Sequence, residues 1–284
     1  MMRKRVRWTL IAANLAGLAA LATYGGWDIL QVYTGIGLPE RDAPPMELVA
    51  HRGDLDHFPE NTLEGIVAAT SLPVDGIEFD VIMSADGTWW VMHDEMLDRT
   101  TDRSGWIPEL ADGEIGQARI DGGIGFDPDR HVDLRVPTLS ETLKGLDRYP
   151  GRIYVDVQHA PTGDVDDVVS MLTGRRAAIL CRDLSDSRRV KRLDPSIGTF
   201  LRMEDGPADG SVDGWLMAAF FEATAGTVQA SDLPVITFVE EWRPGRDETP
   251  LIRRAWALGV RTFLTKQPAL ALASRSDLAI AGEQ

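Results

Sequence analysis

The sequence predicts a single (β/α)8 barrel of the TIM type, an α/β fold, preceded by an N-terminal transmembrane helix. Three observations predict it. Eight short β-rich runs follow residue 46, helical-period stretches separate many of them, and about 240 residues remain for the region, the usual size of such a barrel. Several of the runs are continuously apolar, as parallel strands covered on both faces require.

The elements follow in chain order. Arg3, Lys4, Arg5 and Arg7 precede an uncharged stretch from Trp8 to Trp27, which as a helix of roughly 30 Å can span a bilayer. The basic flank should stay in the cytoplasm, which places the rest of the chain on the outer, periplasmic or extracellular, side. The alternative is secretion after signal cleavage near Ala20-Leu21-Ala22. Residues 28–45, with Gly35, Gly37, Pro39, Pro44 and Pro45, read as a linker, and 46–284 as the barrel. The β runs are Glu47 to His51, Gly76 to Val81, Thr88 to His93, Arg152 to Gln158, Ala177 to Cys181, Ile197 to Arg202, Pro234 to Val239 and Val260 to Leu264. Helical periods fall at Leu63 to Thr70, Leu139 to Leu146, Val165 to Leu172 and Pro250 to Leu258. The connection Met83 to Gly87 is too short for a helix, so that unit is irregular. The glycine-rich segment 94–137 reads as a small insertion after the third strand.

Composition narrows the function. Against 29 Lys and Arg stand 44 Asp and Glu, a formal charge of -15, which argues against a general nucleic-acid binder. The single cysteine, Cys181, can form neither an intrachain disulfide nor a cysteine-based zinc site and reads as a buried thiol. An anionic substrate would therefore need local cations or a metal.

Polar residues close the strands at the end where barrel active sites form. The first strand ends His51-Arg52-Gly53, and the third His93-Asp94. Glu78 and Asp80 are two residues apart, so both project from one face, as do Asp156 and Gln158. Three carboxylates gathered at one mouth repel unless a cation lies between them, and all-oxygen ligands favour Mg2+ or Ca2+. Glu78 and Asp80 could instead form a solvated strand face, but their neighbours Ile77, Phe79 and Val81 are apolar. Either histidine alone could be structural; two at strand ends, beside Arg52 and Asp94, favour acid/base work.

In order, His51-Arg52-Gly53, Pro59-Glu60-Asn61-Thr62, Glu78-Phe79-Asp80-Val81, His93-Asp94 and Leu97-Asp98-Arg99-Thr100-Thr101 resemble the glycerophosphodiester phosphodiesterase family. The resemblance continues through Gly105, Glu109-Leu110 and Val136-Pro137-Thr138-Leu139 with Glu141, covers about residues 47–160, and fades beyond. It implies a metal-dependent hydrolysis of a glycerophosphodiester or lysophospholipid to an alcohol and a glycerol phosphate. It further implies Glu78, Asp80 and Asp156 as metal ligands, His51 and His93 as the acid/base pair, and Arg52 as the phosphate-holding arginine.

Two departures from the family pattern stand out. The fourth strand usually carries Glu-x-Lys, and here reads Asp156-Val157-Gln158; the eighth usually ends Thr-Asp-x-Pro, and here reads Thr265-Lys266-Gln267-Pro268. Lys266 is expected to reach the mouth beside His51 and Arg52, binding substrate and restoring the charge that Gln158 lacks; the competing expectation leaves it in solvent. The departures also raise a catalytically silent barrel, a membrane-anchored binding or scaffold protein, as the alternative. An aldolase or enolase-like barrel fits poorly, because no strand offers a lysine before Lys266.

Overall fold

The computed structural model describes residues 46–159, 165–202, 208–217, 231–238 and 247–272. The expected anchor at 1–27 and the linker at 28–45 lie outside the described residues, and among the described residues no helix is long and apolar enough to cross a membrane.

The described residues form nine strands: β1 (Glu47–His51), β2 (Gly76–Met83), β3 (Trp89–Val91), β4 (Arg152–His159), β5 (Ala177–Cys181), β6 (Gly198–Arg202), β7 (Gly214–Met217), β8 (Val235–Phe238) and β9 (Thr262–Thr265). Eight of them pair in parallel, in the circular order β1-β2-β4-β5-β6-β7-β8-β9, and the β9–β1 pairing closes the barrel.

The barrel has eight staves, but not the eight expected. The run Thr88 to His93 is not a stave: β3 folds back antiparallel on β2, with Met83 opposite Trp89 and Val81 opposite Val91. Connection length explains this, because a few residues can close a hairpin but not a parallel crossover. The missing stave is β7. It has one large apolar residue after another and no β-branched side chain, a run whose periodicity does not separate strand from buried helix.

Strand alternation sorts the side chains into two cores. Val49, Tyr154, Ala178, Leu180, Phe200, Leu216, Ile236 and Leu264 fill the barrel interior. The intervening residues, among them Ile77, Phe79, Ile153, Val155, Ile179 and Cys181, pack outward under Ile66, Leu139, Leu143, Val168 and Val190. Four helices of that outer layer are α1 (Leu63–Ala69), capped by Thr62, α2 (Leu139–Gly145), capped by Thr138, α3 (Asp166–Leu172) and α4 (Leu184–Leu193), capped by Asp183. A fifth, α5 (Thr249–Ala257), covers β1, β8 and β9. The insertion 94–137 holds two 3-10 turns, Leu97–Arg99 and Ile107–Glu109, and the short helical turn Asp112–Ile115, over a small core of its own around Ile82, Trp90, Ile107 and Ile115.

Candidate active site

Which side chains reach the mouth follows from the same alternation. His51 is in phase with inward Val49, Asp156 and Gln158 with Tyr154, and Lys266 with Leu264, each one step beyond the apolar layer toward the C-terminal ends of the strands. On β2, Glu78 and Asp80 alternate with outward Ile77, Phe79 and Val81. Register then joins neighbouring strands, with His51 opposite Glu78 and Asp80 opposite Asp156.

The result is a cluster of Glu78, Asp80 and Asp156, all buried, each with a carboxylate oxygen within 4.8 Å of the others. Burial pushes the Glu78 carboxyl well above its usual range, and Asp80 and Asp156 add to that. Asp156 rises to about 6 by burial and by repulsion from Asp80, with Arg202 opposing at 3.4 Å. Concentrated negative charge with all-oxygen donors in a buried mouth fits a hard divalent cation.

Arg52 lies across this cluster with a left-handed backbone (φ 61°), followed by Gly53 at φ 97°. A Cβ on Gly53 would stand 2.8 Å from the Gly65 carbonyl carbon, so the turn needs glycine for both its conformation and its close approach to α1. The Arg52 amide donates to the Glu78 carbonyl at 2.9 Å and lies 3.1 Å from its Oε2. Its guanidinium pairs with Glu60, and its Nε sits 3.1 Å from Asp80 Oδ2 without a directed hydrogen bond.

The string Pro59-Glu60-Asn61-Thr62 braces this arrangement. Glu60 is buried and accepts from Arg52, from Arg99 Nη1 at 2.5 Å and from the Ile124 amide at 2.7 Å. Burial alone would raise its carboxyl, but the two arginines outweigh burial and hold it below the usual range. Asn61 donates to Asp80 Oδ2 at 2.8 Å and accepts from the Asp80 amide at 3.2 Å, fixing one carboxylate oxygen. Gln158 Nε2 fixes the other at 2.8 Å.

The two histidines occupy different surroundings. His51 is buried, tilted against Phe238 with ring centroids 5.2 Å apart, and its Nε2 lies 3.7 Å from Glu78. Among the described residues its Nδ1 has no hydrogen-bond partner. Burial, then Arg52 and Lys266, push its protonation well below the ordinary histidine value. His93, just past β3, is partly exposed at the rim and holds Asp94 at 2.6 Å through Nδ1; Asp94 in turn pairs with Arg99 at 2.5 Å. A chain of paired side chains thus runs from Asp80 through Arg52, Glu60, Arg99 and Asp94 to His93.

Lys266 is 3 % exposed, so it does not stand in solvent. Burial and Arg52 pull its ammonium down to about 8, while Glu248, Glu60 and Glu78 act in the other direction. Glu248, at the start of α5, is buried and fixes this strand end by accepting from Thr265 Oγ1 at 2.6 Å and the Lys266 amide at 3.2 Å. All seven expected site residues therefore come to one end of the barrel. Glu60, Asn61, Arg99, Arg202 and Glu248 join them without having been singled out as site residues. No local pattern links Glu60 to Arg99 thirty-nine residues away.

The family model for "Glycerophosphoryl diester phosphodiesterase family" matches residues 51–263. A glycerophosphodiester phosphodiesterase of Bacillus subtilis is 37% identical over 123 residues, 36% of this chain and 41% of that protein. One from Caldanaerobacter subterraneus subsp. tengcongensis is 40% identical over 97 residues, 34% of this chain and 39% of its own length. The aligned region thus spans about two fifths of these curated relatives. Among solved structures, a phosphodiesterase of Oleispira antarctica in complex with the product sn-glycerol-3-phosphate superposes with a TM-score of 0.67 at 20% identity, covering 82% of this chain and 97% of that one. A glycerophosphodiester phosphodiesterase of Agrobacterium tumefaciens gives 0.62 at 22% identity, covering 80% and 99%. At these identities the superpositions speak for the fold.

Proposed function

From a chain that belongs to the glycerophosphoryl diester phosphodiesterase family, we infer a phosphoric diester hydrolase that cleaves glycerophosphodiesters or lysophospholipids to an alcohol and a glycerol phosphate. The observation that carries this reading is the meeting of Glu78, Asp80 and Asp156 with His51 and Arg52 at one barrel mouth.

Glu78, Asp80 and Asp156 would hold a divalent cation, Mg2+ or Ca2+, which when bound supplies Lewis-acid neutralisation of the phosphoryl oxygens. Arg52 presents a planar fork to a non-bridging oxygen, its orientation set by Glu60 and Asp80. Lys266 adds a second positive charge on the side of β9, the strand next to β1. His51, deep in the mouth, takes the proton from the attacking oxygen, either water or a neighbouring substrate hydroxyl. His93, at the rim where the leaving alcohol departs, returns a proton to the alkoxide while Asp94 orients its ring. The reading also keeps residues 1–27 as a membrane anchor that holds the barrel on the outer side beside its lipid-derived substrates; a secreted form after cleavage is the alternative.

The test is release of choline or glycerol phosphate from glycerophosphocholine, with and without EDTA. Activity that EDTA abolishes and Mg2+ or Ca2+ restores is expected, as is its loss in folded His51→Ala and His93→Ala proteins. Turnover indifferent to chelator, or near-unmutated rates in either variant, refutes the corresponding assignment. No release from the unmutated protein with metal present would favour the silent-barrel alternative.

A further inference from the structure

The end of the barrel opposite the mouth is not closed by apolar packing. The first inward positions of several strands carry Glu47, Arg152, Gly198 and Thr262, and with Arg176, Lys191, Asp213 and Arg261 they line a cavity of about 570 Å³. That volume falls in the range of small-molecule sites. Glycine at position 198 helps leave the space open, and Phe200 floors it from the apolar layer above.

The lining is cationic in a chain of formal charge -15. Four cations, Arg152, Arg176, Lys191 and Arg261, face two acids, Glu47 and Asp213. Lys191 is neutralised by Asp213 at 2.6 Å. Glu47 serves two arginines at once, Arg176 at 3.5 Å and Arg152 at 3.8 Å, and also accepts the Tyr154 hydroxyl at 2.8 Å. Among the described residues no carboxylate lies within ion-pair distance of Arg261, whose Nη1 reaches only the carbonyls of Val260 and Trp256, at 3.1 and 3.5 Å. Four cations therefore share two carboxylates among the described residues, a local excess of positive charge. Arg152 is also held in place, with its guanidinium 5.8 Å from the centre of the Tyr154 ring.

Fold stability does not call for this arrangement, since one acid per base or an apolar plug would seal the barrel at lower cost in repulsion and desolvation. Guanidinium forks around a concave space are suited to a tetrahedral dianion, which they can meet with paired hydrogen bonds. We propose that the N-terminal end of the barrel is a second binding site, taking a phosphate-bearing ligand on Arg152, Arg176 and Arg261. The ligand is a free phosphomonoester or the phosphate of a lipid headgroup. The site shares no residue with the mouth, so it stands whether or not the hydrolase reading holds.

Titration calorimetry with inorganic phosphate tests it, run in EDTA on the Arg52→Met protein so that the mouth is weakened. Binding should persist there, and adding Arg176→Met and Arg261→Met should weaken it by about tenfold or more, the scale of losing a charge-assisted contact. The Arg176→Met, Arg261→Met protein with an intact mouth should keep its hydrolytic kcat. No binding in the Arg52→Met protein, or binding unchanged by the added substitutions, overturns the proposal. Should the variants fail to fold, the unmutated chain decides: phosphate should protect Arg176 and Arg261 from phenylglyoxal relative to chloride at equal ionic strength, and equal modification rates overturn the site. Vesicles of phosphatidate in phosphatidylcholine identify the source. Retention of the unmutated chain beyond that of the doubly substituted one assigns a lipid headgroup; equal retention together with phosphate protection assigns a free phosphomonoester.

Discussion

Replacing Glu60 by Gln probes whether the Arg52 fork is held by its brace. Glu60 is 3 % exposed and Arg52 7 %, so the substitution removes the buried negative charge that faces Arg52 and leaves an amide with one accepting oxygen, whose NH2 group opposes the donors that the second carboxylate oxygen served. Breaking a buried pair from one side costs about 3–5 kcal/mol. We count only the Arg52 arm, because Arg99 is 40% exposed and its share is screened by solvent. The lower end of that range, about 3 kcal/mol, corresponds to a fall in Tm of roughly 6–12 °C for a domain of this size. The pH dependence has a definite sign. The folded Glu60 carboxyl lies below its ordinary value, so its contribution is fully present above the unfolded carboxylate pKa of about 4.3 and disappears as pH falls through the folded one. Urea unfolding of the unmutated and Glu60→Gln proteins across pH should give a constant stability gap above about pH 5 that closes on further acidification. A gap under about 1 kcal/mol at neutral pH, or one that stays constant as the solution is acidified below the unfolded value, would refute the reasoning.

Three further outcomes follow from the same contacts. Glu78→Gln removes one of three mutually repelling buried carboxylates, so in EDTA the variant should melt higher than the unmutated protein while losing the Tm increase that added Mg2+ or Ca2+ gives; a lower melting point in EDTA counts against a repulsive cluster. Lys266→Ala and Lys266→Met should each raise KM by about tenfold if the ammonium faces substrate, and unchanged kinetics in both would remove Lys266 from the site. Gly53→Ala forces a side chain into a backbone conformation at φ 97° and against α1, so it should cost about 2 kcal/mol or more by thermal or urea unfolding; a neutral effect would mean the turn relaxes freely.

Most of the barrel was legible because its strands announce themselves. β1, β2, β4, β5, β6, β8 and β9 each coincide with a β-rich run to within a residue or two, bounded by glycine, proline or charge. The two errors share a cause, which is that local pattern does not report pairing. Thr88 to His93 has strand composition and does form β3; only the five-residue connection before it says that its neighbour must be antiparallel. β7, with sequence Gly-Trp-Leu-Met, has no alternation to read, and its pairings with β6 and β8 supply the identity that its composition withholds. Helix α4 went unnoticed for a related reason: only Asp186, Ser187 and Val190 of its ten residues are buried, too narrow an apolar stripe to stand out among four basic residues.

The mouth was legible where chemistry and periodicity coincide and illegible where charge is balanced through space. A two-residue spacing inside an apolar strand places Glu78 and Asp80 on one face, and parallel register places Asp156 opposite Asp80, so the acidic half could be anticipated from strand order and spacing. The basic half was legible only in part. Arg52, just past β1, and Lys266, just past β9, were expected there, but Arg99 from the insertion and Arg202 from β6 were not, because these are held by acids that only the fold brings near: Glu60 for Arg99 and Asp156 for Arg202. The two departures from the family pattern illustrate the difference. Gln158 is not an empty place where a lysine belongs; it donates to Asp80 Oδ1 and, with Asn61 on Oδ2, holds both oxygens of that carboxylate. Position 266, just past β9, continues the inward phase of Leu264, and Lys266 is buried there, as expected of a lysine that reaches the mouth. In a cylinder every strand end is within reach of the same centre, so a substitution on one strand can be offset by another far along the chain.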